Sequence, residues 1–200
     1  QRRPNVTIRE NITVFDLIRN NGVCQGVLAL GDKIEPIYSK TVILATGGLG
    51  NIYLYNTNPE IATGDGYAIA KRAGATLKDM EFVQFHPTKF YHDHFLISEA
   101  LRGEGAKLRN MKGEFMKRYH SWAELAPRDV VSRAIIFEMR KEGSDHVYLD
   151  MRHLDERYIK NRFPMIHKTC SDHGLDIAKD LIPVVPAAHY MCGGIATDLY

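Results

Sequence analysis

The chain has 200 residues, 44% of them hydrophobic and 25% charged, with a formal net charge of +2. That is enough for one sizeable core or two smaller packed units, with the composition of an ordinary globular protein. The small net charge and dispersed basic residues exclude a general electrostatic surface for nucleic acid or anionic lipid, and no apolar run approaches the roughly 18 residues of a membrane span.

Cys24, Cys170 and Cys192 are far apart and in no metal-type spacing. Reduced thiols and a cytoplasmic setting are expected from them, rather than a disulfide framework. The chain opens on Gln1-Arg2-Arg3-Pro4 and stops at Tyr200 soon after a glycine pair. It is therefore expected to be an internal piece of a longer protein.

Residues 5–16 alternate apolar and polar side chains, as a half-buried strand does. Asn21-Gly22 is a hairpin signal, followed by a strand over Val23–Leu30, a turn at Gly31-Asp32, and a short strand over Ile34–Ile37 that Pro36 places at an edge. Together these predict an antiparallel meander. Thr41–Ala45 is a continuous apolar run rich in β-branched residues, expected to be a strand buried on both faces of a parallel sheet. It ends in Thr46-Gly47-Gly48, where small residues serve either a tight turn or the close approach of a large ligand. No GxGxxG occurs, so the dinucleotide phosphate loop itself is not in this sequence.

Asp65 is expected to cap a helix over Tyr67–Ala73 that Gly74 stops; a cap carboxylate can also accept a bond from a ligand. Ala75–Phe85 reads as a strand ending at His86-Pro87. Tyr91-His92-Asp93-His94 offers two imidazoles but no third ligand in reach, so no metal is expected there. In Ser98–Ala106, Glu99 and Arg102 are three apart and would pair on a helical turn. This stretch reads either as a solvated turn with an ion pair or as part of a site. Met111–Met116 predicts a short hairpin. A helix begins at Pro127, with Asp129 in its first turn and Val131, Ala134, Ile135, Glu138 and Met139 on one face, and Gly143 ends it. Arg128 is out of place at that helix start, where a cation is disfavoured; a role, or a structural pair with a carboxylate, is expected. A strand over Val147–Asp150, a helix over Leu154–Phe163, a second helical piece to Gly174 and an extended Ile182–Pro186 follow. The last leads to His189 just before Gly193-Gly194.

His86, Ser98, Glu99, Arg102, Arg128 and His189 are the residues able to bind and clamp a small carboxylate. With a cofactor seated at Thr46–Gly48, they point to redox chemistry on a dicarboxylic acid. A non-catalytic carboxylate-binding or scaffold module is the alternative, in which these groups would satisfy one another.

Six motifs in one order carry a more specific message. Ala45-Thr-Gly-Gly48, Thr63-Gly-Asp-Gly66, Gln84-Phe-His-Pro-Thr88, Glu99-Ala-Leu-Arg-Gly-Glu-Gly105, Ala126-Pro-Arg-Asp-Val-Val-Ser-Arg133 and Ala188-His-Tyr-Met-Cys-Gly-Gly194 resemble the flavoprotein family of succinate dehydrogenase, fumarate reductase and L-aspartate oxidase. Ala187–Cys192, Phe163–Ile166 and Gly174–Asp176 place the chain nearest the L-aspartate oxidase branch.

The resemblance implies an α/β fold: an FAD-binding, Rossmann-like domain (residues 1–86 and 188–200) interrupted by a smaller α+β capping domain (residues 87–187). It implies FAD lined by Thr46, Gly47, Gly48 and Asp65, with Asn11 and Ile12 beside the adenine. His86, Ser98 and His189 would hold the substrate carboxylates, and Arg128 would transfer a proton with Glu99 and Arg102 as its relay. The expected reaction is oxidation of L-aspartate to iminoaspartate with oxygen or fumarate reoxidising the flavin, the first step toward quinolinate and NAD. Hand-over of iminoaspartate to quinolinate synthase is an expected partnership. The rivals are a fumarate reductase or a succinate dehydrogenase flavoprotein subunit. The pyrophosphate-binding segment and a second carboxylate-binding arginine would lie outside these 200 residues, so the piece alone is not expected to hold FAD tightly.

Overall fold

The computed structural model describes residues 4–199; Gln1–Arg3 and Tyr200 lie outside the described residues. Three sheets organise it. The first is the predicted meander: β1 (Thr13–Asn20), β2 (Val23–Leu30) and β3 (Ile34–Tyr38), antiparallel throughout with β2 in the centre. Asn21 and Gly22 join β1 to β2 with φ of 48° and 82°, the left-handed pair that a two-residue hairpin needs to match strand twist. Pro36 sits on the edge strand β3, opposite Leu28. Strand pairing begins only at Thr13, so the alternation over residues 5–12 belongs to mostly exposed chain outside any strand.

The expected buried strand over Thr41–Ala45 is not one. Residues 41–49 form neither helix nor strand, and Ile43 is 86% exposed. An apolar β-branched run favours extension, but a ladder also needs a neighbour, and the described residues supply none. Among the described residues every strand pair in the three sheets is antiparallel, and the one parallel bridge joins Asn56 to Ala188.

Helix α1 (Asp65–Arg72) starts one position away from expectation. Its N-cap is Gly64, in the left-handed region at φ 83°, and Asp65 is the first helical residue, taking a 2.9 Å bond from the Thr63 hydroxyl. Ala73 is the C-cap, and Gly74 follows at φ 89°. The long strand expected over Ala75–Phe85 is two. Strand β4 (Leu77–Lys78) pairs with β10 (Gly194–Ile195), Asp79 turns at φ 55°, and β5 (Val83–Phe90) runs on through His86-Pro87. It can do so because the ladder is irregular between His86 and Lys89, and a bulge tolerates the missing proline donor.

The main sheet has the order β5–β9–β8–β6–β7, with β6 (Lys107–Asn110), β7 (Gly113–Glu114), β8 (Val147–Asp150) and β9 (Ile182–Met191). The predicted hairpin is β6–β7, centred on Met111-Lys112. Strand β9 continues well beyond the expected Pro186 and carries His189.

Helix α2 (Glu99–Gly103) precedes β6, and α3 (Arg128–Glu142) crosses the sheet behind β5. Pro127 is the N-cap of α3 rather than its first residue, and Gly143 closes it at φ 65°. Val131, Ala134, Ile135 and Glu138 form its buried face, as the spacing predicts. Helices α4 (Glu156–Arg162) and α5 (Pro164–Asp172) follow β8, with Pro164 opening the second. One apolar cluster, from Phe90 to Val184, fills the space between these helices and the main sheet.

Candidate functional site

Strand β9 is bulged at a telling place. Gln84 on β5 faces Tyr190, while the next residue, Phe85, faces Ala188. His189 is therefore the extra residue, and a bulge of this kind re-aims the side chain it carries. On the other edge of β9, Ala188 exchanges backbone bonds with Tyr55 and Thr57 (2.9 and 3.0 Å), and the Thr57 hydroxyl shares a 2.7 Å bond with His189 Nδ1. The His189 ring then meets the His86 ring edge-on, centroids 5.4 Å apart.

His86 is 1% exposed. Burial, then the charges of Arg128 and Arg102, push its pKa down to about 3, so the ring is neutral at ordinary pH. Its Nδ1 accepts from the Thr88 N–H at 3.2 Å. The proton of the neutral ring is thus on Nε2, and among the described residues no hydrogen bond uses it. His189 is likewise pushed below its usual value by burial and by Arg128.

Arg128, the first residue of α3, donates from Nε (3.0 Å) and Nη2 (2.9 Å) to Glu99 Oε2, and from Nη1 (2.8 Å) to Gln84 Oε1. The other Glu99 oxygen accepts from Arg102 Nη2 at 3.0 Å. Burial pushes Glu99 up, but the bond from Arg128 and the charges of Arg102 and Arg128 outweigh it, leaving a carboxylate below its usual range. Arg102 is fully buried; burial lowers its pKa against the pull of Glu99. Its Nη1 donates to the Glu124 backbone carbonyl, and its Nε has no partner. The pair in Ser98–Ala106 is therefore an interior chain, Arg128–Glu99–Arg102, and the mismatched cation at the helix start is matched by a carboxylate from α2. Ser98 is the N-cap of α2, its Oγ accepting from the Ala100 N–H at 3.2 Å. Ile97 bonds back to Thr88 in both directions, which sets Ser98 near the strand that bears His86.

Thr46–Gly48 lies beside the end of β9. One groove of about 570 Å³ is lined by Leu44–Gly47, Tyr67, Lys78, Asp79 and residues 192–197. A second, of about 480 Å³, is lined by Ala45–Gly48, Asn58, Tyr67 and His189–Met191 among others. A Cβ at Gly47 would meet nothing within 4 Å, whereas one at Gly66 would fall 1.7 Å from Thr46 Oγ1 and one at Gly193 2.0 Å from the Asp79 carbonyl. Gly66 and Gly193 thus let α1 and the turn at Asp79 pack closely on the walls, and Gly47 leaves its stretch of the trough free of side chain, a fit for the close approach of a large planar cofactor.

Not every expected residue joins this site. Asn11 (φ 57°) and Ile12 precede β1, and no hydrogen bond or ion pair among the described residues joins them to Thr46–Gly48. Asp65 is exposed. Arg128 opens into a different groove, about 960 Å³, lined by Tyr53, Gln84, Phe85 and Phe137 among others. His189 borders the trough, His86 touches His189, and Arg128 lies beyond; none of these three grooves holds all of them. His92 stacks on His173 (6.4 Å, 16°) within an aromatic patch, and among the described residues no group of three or more His, Cys, Asp or Glu is placed to hold a metal ion.

Gln84, Thr57, Thr88 and Glu124 join the site without being expected there. Gln84 and Thr88 belong to one of the six motifs, but their partners are set by a bulge and a turn. Thr57 and Glu124 meet the site across long stretches of sequence, and no local signal marks them.

The whole chain, residues 1–200, matches the model of the FAD binding domain family. It is 49% identical to "L-aspartate oxidase 1" of Ralstonia nicotianae over 98% of this chain and 39% of that protein. It is also 49% identical to the L-aspartate oxidase of Nostoc sp., over 99% of this chain and 36% of that one. Among solved structures, a quinol-fumarate reductase with menaquinol molecules superposes at a TM-score of 0.85 with 38% identity, over 94% of this chain and 36% of that one. The chain belongs to the FAD binding domain family, with FAD as its cofactor. Its fold is the mixed helix-and-sheet fold that fumarate reductase shares, and its sequence relatives include many L-aspartate oxidases at 44–49% identity. It spans less than half the length of those relatives.

Proposed function

We propose that the longer protein oxidises L-aspartate to iminoaspartate. The observation that carries this is the unspent Nε2–H of neutral His86, on a ring that neighbours both Arg128 and His189. A scaffold would satisfy that donor; a carboxylate-binding site keeps it for substrate. FAD, held along Thr46–Gly48 and Gly193–Gly194, would supply the acceptor for the substrate's hydride. The chain's own residues do the rest. His86 Nε2, the Ser98 hydroxyl and His189 hold the substrate carboxylates. Arg128, fixed at the start of α3, relays the proton lost by the substrate: it gives one of its own N–H protons to Glu99 Oε2 and takes the substrate's in its place. Glu99 draws the arginine's proton on, and Arg102 is the buried positive charge that keeps Glu99 ionised. Arginine is a poor base in water, so its loss of a proton to Glu99 and its uptake of the substrate's proton go together.

Residues 1–86 and 188–200 form part of the Rossmann-like flavin domain in this reading, and residues 87–187 the capping domain. The apolar cluster supports it, since every member lies between Phe90 and Val184. Asp65, Asn11 and Ile12 would complete the FAD surface in the longer protein. The three free cysteines support a cytoplasmic setting, and no described helix is long and apolar enough to cross a membrane. Because an imine hydrolyses in water, hand-over to quinolinate synthase would protect the product.

The likeness to quinol-fumarate reductase favours a second reading, a fumarate reductase or succinate dehydrogenase subunit, at lower identity. One experiment separates them. The flavin absorbance of the full-length protein should bleach anaerobically with L-aspartate and not with succinate; bleaching by succinate alone would sink the aspartate reading.

A further inference from the structure

We propose that Gln84 is a positioning residue for Arg128: its amide oxygen fixes the guanidinium so that one edge serves Glu99 and the remaining donors serve substrate. This rests on the function proposed above.

A guanidinium carries five N–H groups in one plane. Three are spent, two on Glu99 Oε2 and one on Gln84 Oε1. What remains is one N–H on each terminal nitrogen. Glu99 alone would leave the plane free to pivot about its carboxylate oxygen, because both its bonds end on one atom. The bond to Gln84, made from the third nitrogen to a different chain segment, removes that freedom.

Gln84 is suited to this by its place. The bulge between Gln84 and Phe85 puts the extra residue on β9, so β5 keeps its own alternation there. Gln84 and His86, two apart, then project from the same face of β5. One strand therefore carries both the group that binds substrate and the group that aims the proton acceptor. An amide also meets a chemical requirement. It accepts from the guanidinium without adding charge, whereas a carboxylate would hold the arginine's proton more firmly and slow its exchange.

The test uses the full-length, flavin-loaded protein and three variants, Q84M, Q84E and Q84N. With the substrate that reduces wild-type flavin, Q84M should lower the stopped-flow reduction rate about tenfold while KM changes by less than about threefold, the loss of one bond to a charged group. Q84E should move the rising limb of the pH–rate profile to higher pH and Q84M to lower pH. Q84N, which is shorter, should give a rate between wild type and Q84M. A merely structural residue would reduce the folded fraction and leave the limb in place. A second measurement is independent of turnover. The Nε–H signal of Arg128 in protein carrying 15N-arginine, assigned by its loss in R128K, should exchange with water about tenfold faster in Q84M. Unchanged exchange, or a wild-type rate and limb in both Q84M and Q84E, would overturn the proposal. If succinate rather than L-aspartate reduces the wild-type flavin, the aspartate reading fails, and the Gln84 comparison runs on succinate with the same outcomes.

Discussion

Residues 90–184 and residues 4–86 are built on different principles. The first stretch buries some two dozen apolar side chains in one cluster, many of them with no exposed surface at all. The second buries few, among them Ala29, Ala62, Ile69 and Ala70, and leaves Ile43, Leu54 and Ile61 more than four-fifths exposed. What holds the second stretch is backbone: the β1–β2–β3 ladder, and loops pinned by Asn51, Asn56 and Asn58. The site residues follow the same division. His86, Ser98, Glu99, Arg102 and Arg128 are set by the packed region or its border, and the glycine trough by the looser one. In the proposed reading, rigid packing aims the reacting groups, while an open, side-chain-poor surface receives the cofactor.

The sharpest way to break this contrast is Leu149→Ala. Leu149 is fully buried on β8, so its truncation should cost about 3–4 kcal/mol, read as a fall in the urea midpoint. A comparable loss from Ile43→Ala would mean that the two regions do not differ in this way.

Acid should act next most strongly, and again on the packed region. Hydrogen bonds from Arg152 hold the Asp150 carboxyl down at about 2 against burial, with Arg109 adding to them. A depressed carboxyl stabilises the fold above its unfolded pKa and loses that contribution as pH falls through the folded value. About 2 kcal/mol should therefore disappear between roughly pH 4 and pH 2. Asp150→Asn should flatten that limb of the stability–pH curve; an unaltered limb would assign it to other groups.

Gly26→Ala tests the looser region. A Cβ there would stand 2.1 Å from the Ile37 carbonyl oxygen, with φ at 150°, so β3 must move away at a cost of about 1–3 kcal/mol. Amide hydrogen exchange should rise in β2 and β3 and stay unchanged in β8. A rise spread over both regions would merge them into one cooperative unit.

Much of this fold is legible in the amino-acid sequence. The Asn21-Gly22 turn, the Val147–Asp150 strand and α3 with Gly143 at its end depend on neighbours in sequence, and they stand as expected. Thr41–Ala45 misleads because burial is a property of the partner, not of the run itself. The prolines mislead differently. Pro87 and Pro186 signal strand ends, yet both lie inside their strands, and for Pro87 the ladder irregularity that admits it is announced by neither strand alone. The candidate residues are legible as types; their joining is not. That Arg128 reaches Glu99 and Gln84 together depends on α3 crossing β5, a fact of topology.

The bulge at His189 makes the site a matter of counting. Strand residues fall into odd and even sets, one for each face, and an extra residue shifts the sets against the partner strand from that point on. His189 stands at the seam, where the count on β9 slips by one relative to β5. Deleting Ala188 would remove the slip and set His189 opposite Phe85, on the face away from the one that Gln84 and His86 share. The loss would be complete with the imidazole itself still present, because what specifies this position is arithmetic along the strand as much as chemistry.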